Sequence, residues 1–187
     1  MCIRDRTMAI KFDPGNEKAK LALVKLARSS HEVVRNEASK IYDAKSDPTP
    51  PVIVLIELAN QAKDTDDLES AMKFLEAARR VDPRNPEILS KLALVYLELE
   101  KPNPERALLL IDQGIVFLRI DSRHQPFANY VRARALEELD RIVDAEASYE
   151  AAIAECKDNE LLLEIKERFE LMKRRNLTCT RPAKSNR

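Results

Sequence analysis

Carboxylates spaced to share a helix face are the first candidates for chemistry in this sequence. Glu137 and Glu138 are adjacent, and Glu146 and Glu150 stand one helical turn apart. Paired acids of this kind can do general acid and base work. Both pairs lie among arginines and lysines on amphipathic segments, where an ion-paired, solvated face is the expected role. The two histidines, His31 and His124, are far apart in sequence. Neither has a Cys, Asp or Glu partner at metal-ligand spacing, so surface or helix-capping roles are expected. Cys2, Cys156 and Cys179 form an odd set without a CxxC pair, which speaks against a disulfide framework and against a zinc site. The sequence contains no Gly-rich phosphate loop, no G-x-S-x-G and no H-E-x-x-H. It therefore predicts no catalytic residue, no metal and no cofactor.

Composition narrows the class further. The 187 residues are 34% charged and 44% hydrophobic, which suits a folded chain with a real core. Gly15 and Gly114 are the two glycines, fewer than a barrel or sandwich of many short strands needs for its turns. Ala, Leu, Glu, Lys and Arg dominate and favour helix. Lys plus Arg and Asp plus Glu both number 32, so the net charge is zero and no global basic field exists to hold a nucleic acid backbone. No apolar run is long enough to span a membrane. The first seven residues lack the apolar centre of a secretory signal and fit no helix pattern, so residues 1–8 read as a disordered, non-native leader. Cytoplasm is the default location on that reading, with the periplasm open if the N-terminus is trimmed. Residues 176–187 read as a disordered tail, and the stretch from Lys173 onward carries six basic residues and no acidic ones.

The elements that must position any functional side chain are helices throughout. Apolar residues recur at helical spacing over 17–28, 31–45, 66–81, 87–99, 104–118, 127–139, 142–156 and 160–175. Val52–Ile56 taken alone would suit a buried strand, but the continuation through Lys63 favours a helix by length. Pro50, Pro51, Pro83, Pro86, Pro102 and Pro104 punctuate the series, because proline cannot continue a helix and restricts the residue before it. Thr65 or Asp66 is the expected cap of the helix that follows, and Asn103-Pro104 reads as a cap and first helical residue.

The segments also repeat. Ala9–Asn16 is similar to Ala78–Asn85, with prolines 69 residues apart. Ala59 and Ala93 are 34 apart, and Ala71, Ala107 and Ala145 recur at spacings of 36 and 38. Leu55, Leu58, Ala59, Ala71, Leu75, Ala78 and Pro83 fall in the register of a tetratricopeptide repeat, and Val52–Pro86 resembles that family best. Leu89, Leu92, Ala93, Tyr96, Ala107, Ile111 and Gly114 follow it in a second unit, and Asn129, Ala133, Ala145, Tyr149 and Ala152 in a third. Arg132 departs from the pattern where leucine is usual. The resemblance implies an all-α fold, a right-handed superhelical solenoid of antiparallel helix hairpins with a C-terminal capping helix. The repeat domain spans 9–175, with hairpins at about 17–51, 52–85, 86–125 and 126–159 and the cap at 160–175. Residues 9–16 resemble the end of a second helix whose start is missing, so the chain reads as beginning inside a repeat.

In tetratricopeptide proteins the first helix of each hairpin lines a groove that holds a peptide or helix. Carried over by register, this implies groove positions at Ile53, Ile56, Asn60 and Lys63, then Glu87, Lys91 and Leu94, then Phe127, Tyr130, Arg134 and Glu137. Phe127 and Tyr130 are of the aromatic type that anchors interfaces, and Lys91 and Arg134 can pair with a ligand carboxylate. Some members of the family clamp acidic chaperone tails with a Lys, Asn and Arg set. Asn60 and Lys91 fall at suitable places for it, but Ile56, Phe127 and Val131 stand where lysine or arginine is wanted. A helix or an extended apolar peptide is the better expected ligand. The implied function is a non-catalytic scaffold for a protein partner, with nucleic acid a poor candidate. The alternatives are a regulatory repeat segment of a larger enzyme and, less well supported, an RNA-binding helical repeat.

Overall fold

The structure is a computed structural model that describes residues 16–27, 50–118 and 123–179, together with positions 13, 36 and 38. Positions 36 and 38 of the expected helix at 31–45 are helical, and the rest of it, His31, Cys2, the leader and residues 180–187 lie outside the described residues. Eight helices are present and no strand occurs among the described residues: α1 Glu17–Leu26, α2 Val52–Asp64, α3 Leu68–Val81, α4 Pro86–Glu98, α5 Pro104–Phe117, α6 Gln125–Glu138, α7 Ile142–Glu155 and α8 Asn159–Cys179. The Val52–Ile56 run is therefore helical. The chain divides into two compact units, Met1–Pro83 and Arg84–Arg187.

In the first unit, α2 and α3 form a hairpin, and α1 lies against α2 through Val24 and Val54, with Leu21 and Leu58 around them. The side chain of Asn16 caps α1 by accepting from the N–H of Ala19 at 2.9 Å. The turn between α2 and α3 is tighter than the sequence suggests. Thr65 closes α2, donating its hydroxyl to the carbonyl of Ala62 at 3.0 Å. Asp66 takes a left-handed φ of 60°, and the N–H of Asp67 reaches back to the Ala62 carbonyl at 2.8 Å. This is a Schellman closure, in which one left-handed residue satisfies the last carbonyls of a helix. The cap of α3 is consequently Asp67, which accepts from Ser70 N–H at 3.0 Å, and not Thr65 or Asp66.

The second unit holds two hairpins and a final helix. Asn85 caps α4 and Asn103 caps α5, each followed by a proline in the first turn. The turn between α6 and α7 repeats the first hairpin's closure: Asp140 has φ 57°, and the Arg141 N–H reaches the Leu136 carbonyl at 2.9 Å. The alanines that set the repeat register sit where helices cross. Ala71 and Ala78, Ala107, and Ala145 and Ala152 are all fully buried. Gly114 occupies the position of Ala78 and Ala152, and a Cβ there would meet the Leu89 Cβ at 3.3 Å, so α4 and α5 approach closely at this point. Large side chains fill the space between crossings. Leu75, Ile111 and Tyr149, each four residues after the first alanine of its second helix, are buried, each contributing about 2–3 kcal/mol of apolar burial.

The last helix closes this unit. Asp158 caps α8 by accepting from Glu160 N–H at 2.9 Å and Leu161 N–H at 3.1 Å. Ile165, Phe169 and Met172 turn inward onto Tyr130, Leu136, Ala145 and Tyr149. The Tyr149 and Phe169 rings are stacked, with centroids 5.2 Å apart. The helix continues four residues past the expected boundary at Arg175, so Asn176–Cys179 are helical rather than part of a tail.

Candidate ligand-binding face

The first helices carry the expected groove positions. In the first unit, α2 holds Asn60 and Lys63 half-buried, Ile53 exposed and Ile56 buried. In the second unit α4 and α6 lie side by side, tied by an ion pair between Glu98 and Arg134 at 3.1 Å. Lys91 on α4 is half-buried and 4.0 Å from Glu87. Glu87 also lies 4.0 Å from His124, which occupies the position before α6 and provides no side-chain cap. Phe127, in the first turn of α6, is half-buried and packs on the rim of the core cluster. Arg134 is mostly buried beside the Tyr130 ring, with its carbon 5.9 Å from the centroid.

In the second unit, three of the expected groove residues are placed inside the packing. Leu94 is buried on α4. Tyr130 is only 3% exposed, and its hydroxyl donates to Glu164 of α8 at 2.7 Å. Burial raises the Tyr130 pKa well above its ordinary value, and the hydrogen bond to Glu164 adds to the shift. Glu137 departs furthest from the solvated face expected of it, since its side chain is 5% exposed. Its carboxylate accepts from the Tyr149 hydroxyl of α7 at 2.8 Å and from Arg168 Nε of α8 at 3.3 Å, and it also pairs with Arg175. Burial is the first cause of a raised Tyr149 pKa, with the neighbouring Glu137 charge next. The charge and hydrogen bonds of Glu137 hold the Arg168 pKa up against its own desolvation. A buried carboxylate with paired cations and a donating hydroxyl is a satisfied structural group.

Arg132, where the repeat pattern wants leucine, is likewise spent on structure. Its Nε donates to Asp112 of α5 at 2.8 Å and its other arm to the Ser148 hydroxyl of α7 at 2.9 Å. Glu146 and Glu150 are half-buried and exposed, respectively, on α7. Cys156 is a half-exposed free thiol. Among the described residues no group of three His, Cys, Asp or Glu side chains could hold a metal ion. No helix among them is long and apolar enough to cross a membrane.

No protein-family description matches this chain, and no curated protein matches it. Nine chains among the solved structures do. One is the first tetratricopeptide domain of Spaghetti (RPAP3), solved bound to the HSP90 peptide SRMEEVD. It aligns with a TM-score of 0.56 at 18% identity, over 73% of this chain and 99% of that one. The likeness shows the fold: all-helical, built of helix hairpins of the tetratricopeptide kind, as the register of small and large residues implied.

Proposed function

We propose that this chain is a non-catalytic interaction scaffold that binds a segment of a partner protein along its first helices. The pairing of α4 and α6 carries the reading: it leaves Lys91 and Phe127 partly accessible on adjacent helices beside the Glu98–Arg134 pair. A half-exposed aromatic next to charged groups is the composition of a binding hot spot. Lys91, Phe127 and Arg134 are the proposed contacts in the second unit, and Asn60 and Lys63 those in the first. Tyr130 and Leu94 support the face from beneath. The solved neighbour holds a peptide, SRMEEVD, that is rich in acid. Of the second unit's proposed contacts Phe127 is apolar and only partly covered, so the proposed ligand is a mixed or apolar segment and not an acidic tail.

The test is affinity capture with the wild-type chain against Lys91→Ala/Phe127→Ala/Arg134→Ala, after circular dichroism confirms equal helicity. Loss of the captured partner is expected. Undiminished capture by the folded variant would remove the assignment. Titration with SRMEEVD separates the two ligand classes, and weak or no binding is the expected outcome.

A further inference from the structure

A helix face left to water is expected to be polar. The outer face of α8 departs from this. Leu163 and Leu171 are 59% and 53% exposed there. Glu160, Leu163, Glu167, Leu171 and Arg174 follow one another at spacings of three and four, so they form a single stripe opposite the buried Ile165, Phe169 and Met172. A depression of about 440 Å³ runs along the same face, lined among the described residues by Lys166, Glu167, Glu170, Leu171 and Arg174.

The order of charges along this stripe is self-complementary. With two α8 helices laid antiparallel about a two-fold axis at Glu167, Leu163 of one copy meets Leu171 of the other. Glu160 then meets Arg174 at each end. On one flank Lys166 of each copy lies two residues out of register with Glu170 of the other and equally near its own copy, so this flank adds little, and Glu170 keeps its exposed pair with Lys173 at 3.7 Å. A self-complementary patch of this kind is what a two-fold dimer requires. We infer that the outer face of α8 is a homodimer interface whose occupant is the α8 of a second copy of this chain. The seam is smaller than the roughly 800 Å² per partner of a standard interface, so the dimer forms at high protein concentration. Glu167 meets its own copy on the axis, which weakens the association further. The α4–α6 face lies on other helices, so the two proposals fail independently.

Sedimentation equilibrium of the full chain over a concentration series is the test. A reversible monomer–dimer equilibrium is expected. Leu163→Arg weakens it by roughly tenfold or more, because a charge replaces the apolar contact on both sides of the axis. Leu171→Lys acts in the same direction, and both positions are surface-exposed, so helicity is retained. Glu160→Arg weakens association, and Glu160→Arg/Arg174→Glu restores it. Glu167→Gln strengthens it by removing the like-charge encounter. A chain that stays monomeric throughout, a dimer indifferent to Leu163→Arg, or a charge swap that fails to restore association would overturn the proposal.

Discussion

The Tyr149 hydroxyl of α7 donates to the Glu137 carboxylate of α6 at 2.8 Å, inside a cluster where the Tyr149 side chain is wholly buried. Arg168 and Arg175 of α8 approach the same carboxylate. One acid thus fastens three helices, and its neutralisation depends on a helix that begins more than twenty residues further along the chain. Removing one donor leaves a buried carboxylate short of a partner. Tyr149→Phe is expected to cost about 1–2 kcal/mol in urea unfolding, and Glu137→Ala about 3 kcal/mol, since the latter strands the arginines.

The same tyrosine gives the protein an alkaline limit. Its pKa is raised by burial and by Glu137, so the native state holds its proton where the unfolded chain releases it, above pH 10. The stabilisation is complete below that pH and is lost as pH rises, with a slope approaching about 1.4 kcal/mol per pH unit. Tyr149→Phe lacks this slope. The stability gap between wild type and Tyr149→Phe should therefore close between pH 10 and 11.5. A gap that stays constant would contradict the burial of this hydroxyl.

Asp66 and Asp140 hold left-handed φ values at equivalent turns, 60° and 57°. Glycine takes this conformation without the Cβ penalty, so Asp66→Gly and Asp140→Gly should each raise stability by roughly 0.5 kcal/mol, and Asp140→Val should lower it by 1 kcal/mol or more. Thermal unfolding reads both. Equal effects of Gly and Val would mean the turn is not the Schellman closure described here.

Gly114 tests the close approach of α4 and α5. The Leu89 Cβ, 3.3 Å from the place a new Cβ would take, cannot swing away as a side-chain tip can. Gly114→Val is expected to destabilise by about 2–3 kcal/mol, against the helix propensity that the substitution gains. A neutral outcome in urea unfolding would show that the two backbones are further apart.

Much of the fold was legible because its signals are local. Asn103 before Pro104, the punctuating prolines and the recurrence of Ala71, Ala107 and Ala145 at spacings of 36 and 38 need no distant partner to be read. The cap of α3 lies one to two residues beyond the expected Thr65 or Asp66, because Thr65, Asp66 and Asp67 all suit a cap and only the backbone's left-handed step at Asp66 selects Asp67. The candidate face was harder. Register places Tyr130, Leu94 and Glu137 on first helices, but does not say which neighbour covers them. Glu164, Arg168 and Arg175 lie 34, 31 and 38 residues from their partners. The basic run at Lys173–Arg175, at the end of the expected capping helix, supplies one of those partners. A Glu followed about thirty residues later by arginines on an amphipathic last helix is the signal that would have found it.

With α4 and α6 as the ligand-binding face of the second unit, hydrogen exchange with mass spectrometry, on the chain alone and with its captured partner, should show new protection in the peptides covering 87–98 and 125–138, with α5 and α7 unchanged. Protection confined to α5 and α7, with α4 and α6 unaffected, would place the ligand elsewhere.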